Sequence, residues 1–317
     1  MNEYYSCNII ENGFDAQAYC LNLCCRVGNT KNTSKLSFIK DFDGKNIDFN
    51  LVNAIRNKIK ENHKKGNFIP QCDGCVYLEK KDWDNETKIS TININNWIKC
   101  NANCIYCDRK EYTKTKTYDI YPTIKYLIEN NELKNPADIT IAGGEPTITK
   151  DFDNTIKLLL KHKIKTVRVL TNAIKYNKYI QEGLKENLIN IMVSTDSGTK
   201  ETYKKIKLVD KHNAVWKNIK NYAKHQKIDS LVKTKYIIIP AINDNKEELN
   251  EFIKRNVEAE IKHACIDLEI NFFLNNKNDK NRMKEIYNLF LYTKDLGLKN
   301  GINIEAFDRI KLIENFL

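Results

Sequence analysis

The sequence predicts an α/β fold in which a parallel sheet is covered by helices. Over residues 87–317, six strand-like runs alternate with helical patterns. This alternation is typical of βαβ units, whose strands run parallel. Six units are too few for a closed eight-stranded barrel of about 250 residues. The predicted strands are 89–95, 138–142, 164–171, 189–195, 231–239 and 264–271, and the predicted helices lie near 122–133, 152–162, 176–187, 213–226, 246–260 and 281–296.

Each predicted strand has an apolar and a polar face, because side chains alternate across a strand. We expect the apolar face to meet the helices. Polar residues on the opposite face would be costly if dry and unpaired, so we expect a wet interior that holds polar ligands. A one-residue shift of some strands would invert the faces and stays open as an alternative. The apolar set is Ile92, Ile94, Ile139, Ile141, Val167, Val169, Ile191, Val193, Ile266, Leu268 and Ile270, and the polar set is Asn93, Asn95, Thr140, Arg168, Asn172, Ser194, Asp196, Lys233, Lys235, Cys265, Asp267 and Glu269.

Residues 1–86 are predicted to form a separate small module, with the boundary in the charged stretch 79–87. A strand, a turn and one helix make too small a core for independent stability. A metal cluster would supply the missing constraint. The landmarks of this module are Cys7, Cys24 and Cys25, the apolar run 36–39, an amphipathic helix near 50–64, and Cys72 and Cys75.

Composition and charge exclude several classes of protein. No apolar run approaches the roughly 20 residues of a membrane span, and the first residues lack the layout of a signal peptide. Ten cysteines without an export signal indicate a reducing, cytoplasmic setting in which thiols bind metals. The net charge is +11, yet only seven of the 52 basic residues are arginines. Because phosphate and base contacts favour clustered arginine, this pattern argues against a nucleic-acid partner.

Two short motifs carry the chemistry. Cys100, Cys104 and Cys107 follow the first predicted strand with spacings of three and two intervening residues. Thiolates this close on one loop can bind three corners of a cubane iron–sulfur cluster, and no fourth cysteine follows at ligand spacing. The second motif is the turn Gly143-Gly-Glu-Pro146 at the end of the next strand.

Together these motifs resemble the signatures of the radical S-adenosylmethionine (radical SAM) family, which are CxxxCxxC and a GGEP loop. The resemblance implies a partial, open-sided (βα)6 TIM-like barrel. It also implies a 4Fe–4S cluster on Cys100, Cys104 and Cys107, with S-adenosylmethionine chelating the fourth iron through its amine and carboxylate. The alternative is a structural zinc site that pairs Cys72 and Cys75 with Cys104 and Cys107.

The same resemblance assigns residues to S-adenosylmethionine. Gly143 and Gly144 allow close backbone approach, and Glu145 suits an amino group. Asn172 belongs to a Thr-Asn-Ala segment where the family has Thr-Asn-Gly, so Ala173 puts the local turn in question. The full predicted set for the cofactor is Tyr106, Gly143, Gly144, Glu145, Asn172, Ser194 and Asp196.

The amino-terminal cysteines resemble the SPASM and twitch modules of radical SAM enzymes, which hold an auxiliary iron–sulfur cluster. In those enzymes the module follows the barrel, whereas here it precedes it. The predicted ligands are Cys7, Cys24, Cys72 and Cys75, with Cys25 or Cys20 as alternatives to Cys24. A structural zinc in the same site stays open, because thiolates suit both metals.

Three inward-facing residues are candidates for chemistry on the substrate. Asp267, with Glu269, can handle protons, although salt bridges with Lys235 or Arg168 would explain the carboxylates equally well. Cys265 is a candidate for redox or hydrogen donation, against the simpler interpretation of a small buried hydrophobe. The predicted catalytic set is therefore Cys265, Lys235 and Asp267.

The resemblance implies an oxidoreductase or maturase in which a 5′-deoxyadenosyl radical removes a hydrogen atom from a polar small-molecule, peptide or protein substrate. A basic surface suits an acidic donor of single electrons, such as a flavodoxin or ferredoxin. The alternative from another class is a non-catalytic iron–sulfur or zinc protein that serves in interaction or RNA binding. The GGEP loop favours the enzyme, since a passive cluster protein does not need it.

Overall fold

The structure is a computed structural model that describes residues 5–18, 20–25, 38–40, 42–45, 47–72, 75, 77–83, 88–107 and 117–317. The chain divides into two units. Unit 1 takes Met1–Lys99 with Glu111–Arg168, and unit 2 takes Cys100–Lys110 with Val169–Leu317. The predicted boundary at residues 86 and 87 lies outside the described residues.

Unit 1 contains a sheet that mixes parallel and antiparallel pairs. Strands β2, β6 and β7 run parallel, while β2–β3 and β3–β4 are antiparallel. Residues ahead of the first predicted strand therefore extend its sheet, which the sequence did not predict. The elements are β1 Tyr5–Ser6, α1 Asn8–Asn12, β2 Gly13–Gln17, β3 Cys20–Asn22, β4 Phe38–Lys40, α2 Phe49–Lys64, β5 Glu79–Lys80, β6 Ile89–Trp97, α3 Tyr121–Glu129, β7 Leu133–Gly143 and α4 Lys150–Lys161.

Unit 2 contains the second run of strands and helices. Strand pairs β9–β10, β10–β11 and β11–β12 are all parallel. All six predicted strands and all six predicted helices are present across the two units. The elements of this part of the chain are β8 Val167–Thr171, α5 Lys178–Lys185, β9 Ile189–Ser194, α6 Lys200–Lys207, α7 His212–Ala223, β10 Val232–Ile238, α8 Lys246–Glu258, β11 His263–Leu268, α9 Ile270–Asn276, α10 Lys280–Lys299, β12 Asn303–Ala306 and α11 Asp308–Phe316.

The prediction that one face of each strand is apolar and buried is confirmed. The apolar parity is buried on β6 and β7 in unit 1 and on β9 and β11 in unit 2. Burying each isoleucine, leucine or valine contributes roughly 1.5–3 kcal/mol. On the opposite face of unit 2, Ser194, Lys233 and Lys235 are half-buried. The inner face is therefore polar and partly open to solvent, as expected.

One predicted strand is too long. Residues 264–271 were expected to be extended, but β11 ends at Leu268 and Ile270 begins α9. The reason is Glu269, whose carboxylate accepts from the backbone N–H groups of Asn271 (3.0 Å) and Phe272 (2.7 Å) and so caps the helix. Ile270 is half-buried in that helix and does not belong to the apolar face of the strand.

Helix α6 was not predicted, and a glutamate on α8 fixes its first turn. The Glu248 carboxylate accepts from the N–H groups of Gly198 (2.8 Å) and Thr199 (3.2 Å) and from the hydroxyls of Thr199 (2.5 Å) and Thr202 (2.8 Å). Backbone N–H groups at the start of a helix have no partner within the helix, and here the carboxylate accepts from the N–H of the N-cap residue Thr199 and from that of Gly198 just before it. A buried negative charge also suits the positive end of the helix dipole. In the part of the chain that the structure describes, no helix combines the length and apolarity required to cross a membrane.

Glu248→Ala is expected to lower the free energy of unfolding by about 3 kcal/mol, because backbone and hydroxyl donors lose a charged acceptor inside the fold. Urea unfolding followed by circular dichroism measures the change. Glu247→Ala is the matched control, since Glu247 is exposed on the same helix. Equal midpoints for the two variants would contradict this role of Glu248.

Candidate functional site

The three-cysteine loop is attached to the last turn of α6. The N–H of Asn103 donates to the carbonyl of Lys207 (3.0 Å), and the N–H of Ile105 donates to the carbonyl of Ile206 (2.9 Å). The last four carbonyls of a helix have no partner within the helix, so α6 offers free acceptors at this end. The position of the loop is therefore set by a helix that lies about 100 residues later in the chain.

The loop presents its three thiols with different exposure. Cys100 is exposed, whereas Cys104 and Cys107 are partly buried. Burial raises the pKa of the Cys104 thiol, Lys207 opposes this shift, and the nearby Cys107 adds to it. Asn172 donates to the side-chain oxygen of Asn101 (2.7 Å) and to the Cys100 sulfur (3.7 Å). Asn172 thus lies beside the first cysteine.

The donor set fits an iron–sulfur cluster by its chemistry. The loop carries three thiols and nothing else that binds soft metals tightly, and thiolates hold such clusters with one cysteine per iron. Among the described residues, no three His, Cys, Asp or Glu side chains converge on a point where one metal ion would bind. A cluster makes a different demand, because its ligands bind separate irons. Cys100, Cys104 and Cys107 would hold it.

Tyr106, between the second and third cysteines, enters a buried network. Its hydroxyl donates to Asp196 Oδ2 (2.5 Å) and accepts from Lys207 Nζ (3.0 Å). Lys207 Nζ also donates to Asp196 Oδ2, and the N–H of Ile237 donates to Asp196 Oδ1 (2.9 Å). Burial and the charge of Asp196 raise the pKa of Tyr106 well above its usual value. The tyrosine therefore donates as a neutral phenol.

The prediction that Asp196 binds S-adenosylmethionine stays a prediction, and the structure gives this residue other partners. Both carboxylate oxygens are hydrogen-bonded within the protein, and the residue is 0% exposed. Ser194, two residues earlier, is half-buried on the inner face of β9. Of these two residues, Ser194 is therefore the better placed for a ligand. Lys207, which completes the network, was missed because only the fold brings it to Tyr106.

The Gly-Gly-Glu-Pro turn in unit 1 is shaped by backbone contacts. The N–H of Gly144 donates to the carbonyl of Trp97 (2.6 Å), and the N–H of Glu145 donates to the carbonyl of Lys99 (2.8 Å). A Cβ on Gly144 would meet the Lys99 carbonyl and would lie 2.6 Å from that of Ile98. Gly143 has φ +113°, which favours glycine. The two glycines thus let the end of β7 pack against the chain that leaves β6.

Glu145 is buried and caps the short helical turn that follows it. Its Oε1 accepts from the N–H (3.2 Å) and the hydroxyl (2.5 Å) of Thr147. These bonds fix the carboxylate, and its predicted contact with an amine of S-adenosylmethionine stays a prediction. Ala173, at the family's glycine position, has φ 53° and keeps the left-handed turn that glycine would favour.

Asp267 lies at the centre of a group of charges on β10–β12. It is 0% exposed; its Oδ1 accepts from the N–H groups of Leu268 (3.0 Å) and Arg309 (3.1 Å), and its Oδ2 binds Arg309 Nη2 and Lys235 Nζ (3.0 Å). The carboxylate thus caps α11 and binds two cations. This arrangement favours the salt-bridge interpretation of the pair. Arg309 was missed, because its 42-residue separation from Asp267 leaves no local signal.

The other two predicted catalytic residues, Lys235 and Cys265, differ in their exposure to solvent. Lys235 Nζ lies 4.1 Å from the centre of the Phe307 ring, and its side chain is 14% exposed. Cys265 is buried, with its sulfur 3.9 Å from Met192 Sδ and 3.6 Å from the carbonyl of Thr234. Burial raises the pKa of Cys265 to about 12. The surroundings of Cys265 favour a small hydrophobe, and the catalytic roles stay predictions.

The predicted auxiliary ligands lie in unit 1, and neighbouring thiols raise the pKa of two cysteines there, Cys25 and Cys7. Burial raises the pKa of Cys25 to about 12, and Cys24, Cys7 and Cys75 add to the shift. Burial likewise raises the pKa of Cys7, and Cys75 again contributes. Cys25 therefore stays an alternative to Cys24 as the predicted ligand.

Cys72 and Cys20 have different surroundings. Cys72 is buried with Ile10 and Ile59, Cys7 packs against that core, and Cys72 Sγ lies 3.9 Å from His63 Nε2. The N–H of Cys75 donates to the carbonyl of Cys72 (3.1 Å), which closes the turn between them. Cys20 is buried on β3, and Asn22 donates to its sulfur (3.5 Å).

A family model for the radical SAM superfamily matches residues 97–255, which is half of the chain. The chain belongs to the radical SAM superfamily. It is therefore an enzyme, and it uses a 4Fe–4S cluster and S-adenosylmethionine. The α/β fold class, predicted from the alternation of strands and helices, and the TIM-like partial barrel, implied by the two motifs, are confirmed.

Several proteins are similar to this radical SAM chain. A GTP 3′,8-cyclase of Clostridium botulinum is 29% identical over 186 residues, 57% of each chain. An uncharacterized protein of Methanocaldococcus jannaschii is 29% identical over 240 residues, 74% of each chain. The crystal structure of Streptococcus suis SuiB matches with a TM-score of 0.56 and 16% identity, over 85% of this chain and 57% of SuiB. The present chain thus spans just over half the length of the cyclase and of SuiB.

Asp196→Ala is expected to lower the free energy of unfolding by about 3–5 kcal/mol, since it leaves the buried Lys207 charge uncompensated. Ser194→Ala is the matched control on the same strand end and should change stability by less than about 0.5 kcal/mol. Chemical unfolding of the protein without cofactors measures both. Equal destabilisation by the two substitutions would contradict the structural role of Asp196.

Proposed function

We propose that this radical SAM enzyme abstracts a hydrogen atom from a polar substrate held at the inner face of its strands. The single observation that carries the proposal is the three-cysteine loop fixed to the end of α6. The bound cluster and S-adenosylmethionine supply the 5′-deoxyadenosyl radical for this chemistry. The side chains of the protein bind the cofactors and the substrate, orient them and exclude water.

The protein's contribution begins with holding its cofactors. Cys100, Cys104 and Cys107 hold the cluster through their thiolates. Ser194, half-buried on the inner face, accepts or donates a hydrogen bond to the polar part of S-adenosylmethionine. Asn172 donates to Asn101 Oδ1 and to Cys100 Sγ, so it steadies the cysteine loop beside the same ligand.

The substrate proposed is polar, with a peptide or protein as the leading class. Lys233 donates to both oxygens of Glu305 (2.9 and 3.1 Å), and Lys235 lies on the same face of β10. Such side chains suit the amides and charges of a peptide. SuiB, whose structure has been solved with its precursor peptide, has the same type of fold at 16% identity. An acidic flavodoxin- or ferredoxin-like protein is the proposed electron donor, since the chain carries a net charge of +11.

A nucleotide is the second candidate substrate, because the similarity to GTP 3′,8-cyclase reaches 29% identity over 57% of the chain. Incubation of the reduced holoenzyme with GTP and S-adenosylmethionine, followed by mass spectrometry, separates the two. A cyclised guanosine product would replace the peptide proposal. Unchanged GTP, with 5′-deoxyadenosine formed on addition of a peptide encoded beside the gene, would support it.

Anaerobically reconstituted protein is expected to release 5′-deoxyadenosine from S-adenosylmethionine in the presence of dithionite. The variant with Cys100, Cys104 and Cys107 all changed to Ala should release none, because its cluster ligands are gone. Chromatography of the nucleoside and iron analysis measure both outcomes. No product from wild-type protein with an intact cluster would refute the proposed activity, and complete loss of iron in the variant would indicate one shared site.

We also propose that the amino-terminal module, residues 1–86, holds an auxiliary iron–sulfur cluster. The support is the packing of Cys7 against the core around Cys72 and the turn that joins Cys72 to Cys75. In addition, Cys7, Cys24 and Cys75 all raise the pKa of the Cys25 thiol. Such a cluster would hold the substrate or accept its electron. Thiolates on several short elements can brace a small core that has few apolar contacts of its own.

Wild-type protein is expected to contain about eight irons per chain, and the Cys72→Ala/Cys75→Ala variant about four, if each site holds a four-iron cluster. The variant should still cleave S-adenosylmethionine slowly but lose productive turnover. Comparing Cys24→Ser with Cys25→Ser then shows which thiol is the ligand, because only that change lowers the iron content. One zinc per chain in anaerobically purified protein, with iron confined to the barrel loop, would make the module structural.

A further inference from the structure

Lys207 is a fully enclosed lysine, with 1% of its surface exposed. Lysines are almost never buried to this degree without a partner. Its ammonium binds Asp196 Oδ2 and donates to the Tyr106 hydroxyl (3.0 Å). The same nitrogen lies 5.4 Å from the centre of the Tyr106 ring. Both partners of the lysine are therefore identified, and one of them belongs to the cysteine loop.

The backbone of the same residue also holds that loop. The carbonyl of Lys207 accepts from Asn103 and that of Ile206 accepts from Ile105, so the loop is fixed on both sides of Cys104. Tyr106 then follows, immediately before Cys107. One turn of helix thus binds the loop by two main-chain bonds and one side-chain bond.

Asp196 and helix α6 are both hydrogen-bonded to further elements of unit 2. Asp196 accepts at Oδ1 from the N–H of Ile237 (2.9 Å), and its carbonyl accepts from Asn243 Nδ2 (2.9 Å). Helix α6 is held at its first turn by Glu248. Lys207 is therefore connected to fixed points on β10, on the segment after it, and on α8.

We infer that Lys207 is a positioning residue for the cluster loop: its ammonium holds Tyr106, sets the segment that carries Cys104 and Cys107, and keeps a positive charge beside the residue that precedes Cys107. The inference rests on the proposed function, since it concerns the loop that would hold the cluster. Burial acts to lower the pKa of Lys207, but Asp196 and the neighbouring thiols raise it overall, so the charge persists. A positive charge beside an anionic cluster favours its reduced form.

The test compares Lys207→Met with Lys205→Met in the reconstituted holoenzyme. Lys205 lies on the same helix but is exposed, so it controls for loss of one lysine charge. Lys207→Met should shift the cluster's midpoint potential to more negative values in spectroelectrochemical titration without S-adenosylmethionine. Hydrogen exchange of the Asn103 and Ile105 amides should speed up by at least about tenfold, because the loop loses a charge-assisted bond. Lys205→Met should change neither property. Lys207→Arg keeps the positive charge, so its midpoint potential and its exchange rates should be close to those of the wild-type protein.

The double variant Lys207→Met/Asp196→Asn covers the case in which the single change prevents folding, because it removes both buried charges together. The same direction of change in potential and exchange is expected, with a smaller amplitude. A wild-type potential with wild-type exchange in either folded variant would overturn the inference. That result differs from failure of the proposed function, in which wild-type protein itself would not bind a cluster or cleave S-adenosylmethionine.

Discussion

The buried pair of Lys207 and Asp196 is the interaction on which the site in unit 2 depends. Each charge alone would be strongly destabilising away from water, so neither side chain is stable there without the other. Their pairing joins the residues that follow β9 to the end of α6, and Tyr106 adds the cysteine loop. Three segments that are distant in the chain are thereby held by one small set of polar atoms. A cofactor loop without such a support would have to be ordered by its ligand alone.

The sequence predicted those features that repeat along the chain. Alternation of apolar and polar residues located the six strands and their faces, since every second side chain shares an environment. It also assigned Ser194 to the polar face of its strand, and Ser194 is half-buried at the end of β9. The strand end at Leu268 was misjudged because Ile270 continues the alternation, whereas the capping carboxylate of Glu269 begins a helix.

Features that depend on distant partners had no such signal. Tyr106 and Lys207 are 101 residues apart, and Asp267 and Arg309 are 42 residues apart. Helix α6 was missed because its eight residues hold four lysines and few apolar side chains, and its start is fixed by Glu248 from another helix. Strand β2 was missed as well, since Gly13–Gln17 is short and has little alternation, yet it pairs along its whole length with β6. Tertiary contacts override weak local preference in both cases.

The attachment of the loop to α6 also affects the reduction potential of the cluster that the loop would hold. Main-chain N–H groups that point at cluster sulfurs withdraw charge and make reduction easier. The amides of Asn103 and Ile105 donate to helix carbonyls, so they are committed elsewhere, whereas that of Ala102 donates to Cys100 Sγ (3.4 Å). Fewer N–H groups at the sulfurs make the reduction potential of a cluster more negative, which is opposite in sign to the effect of the Lys207 charge.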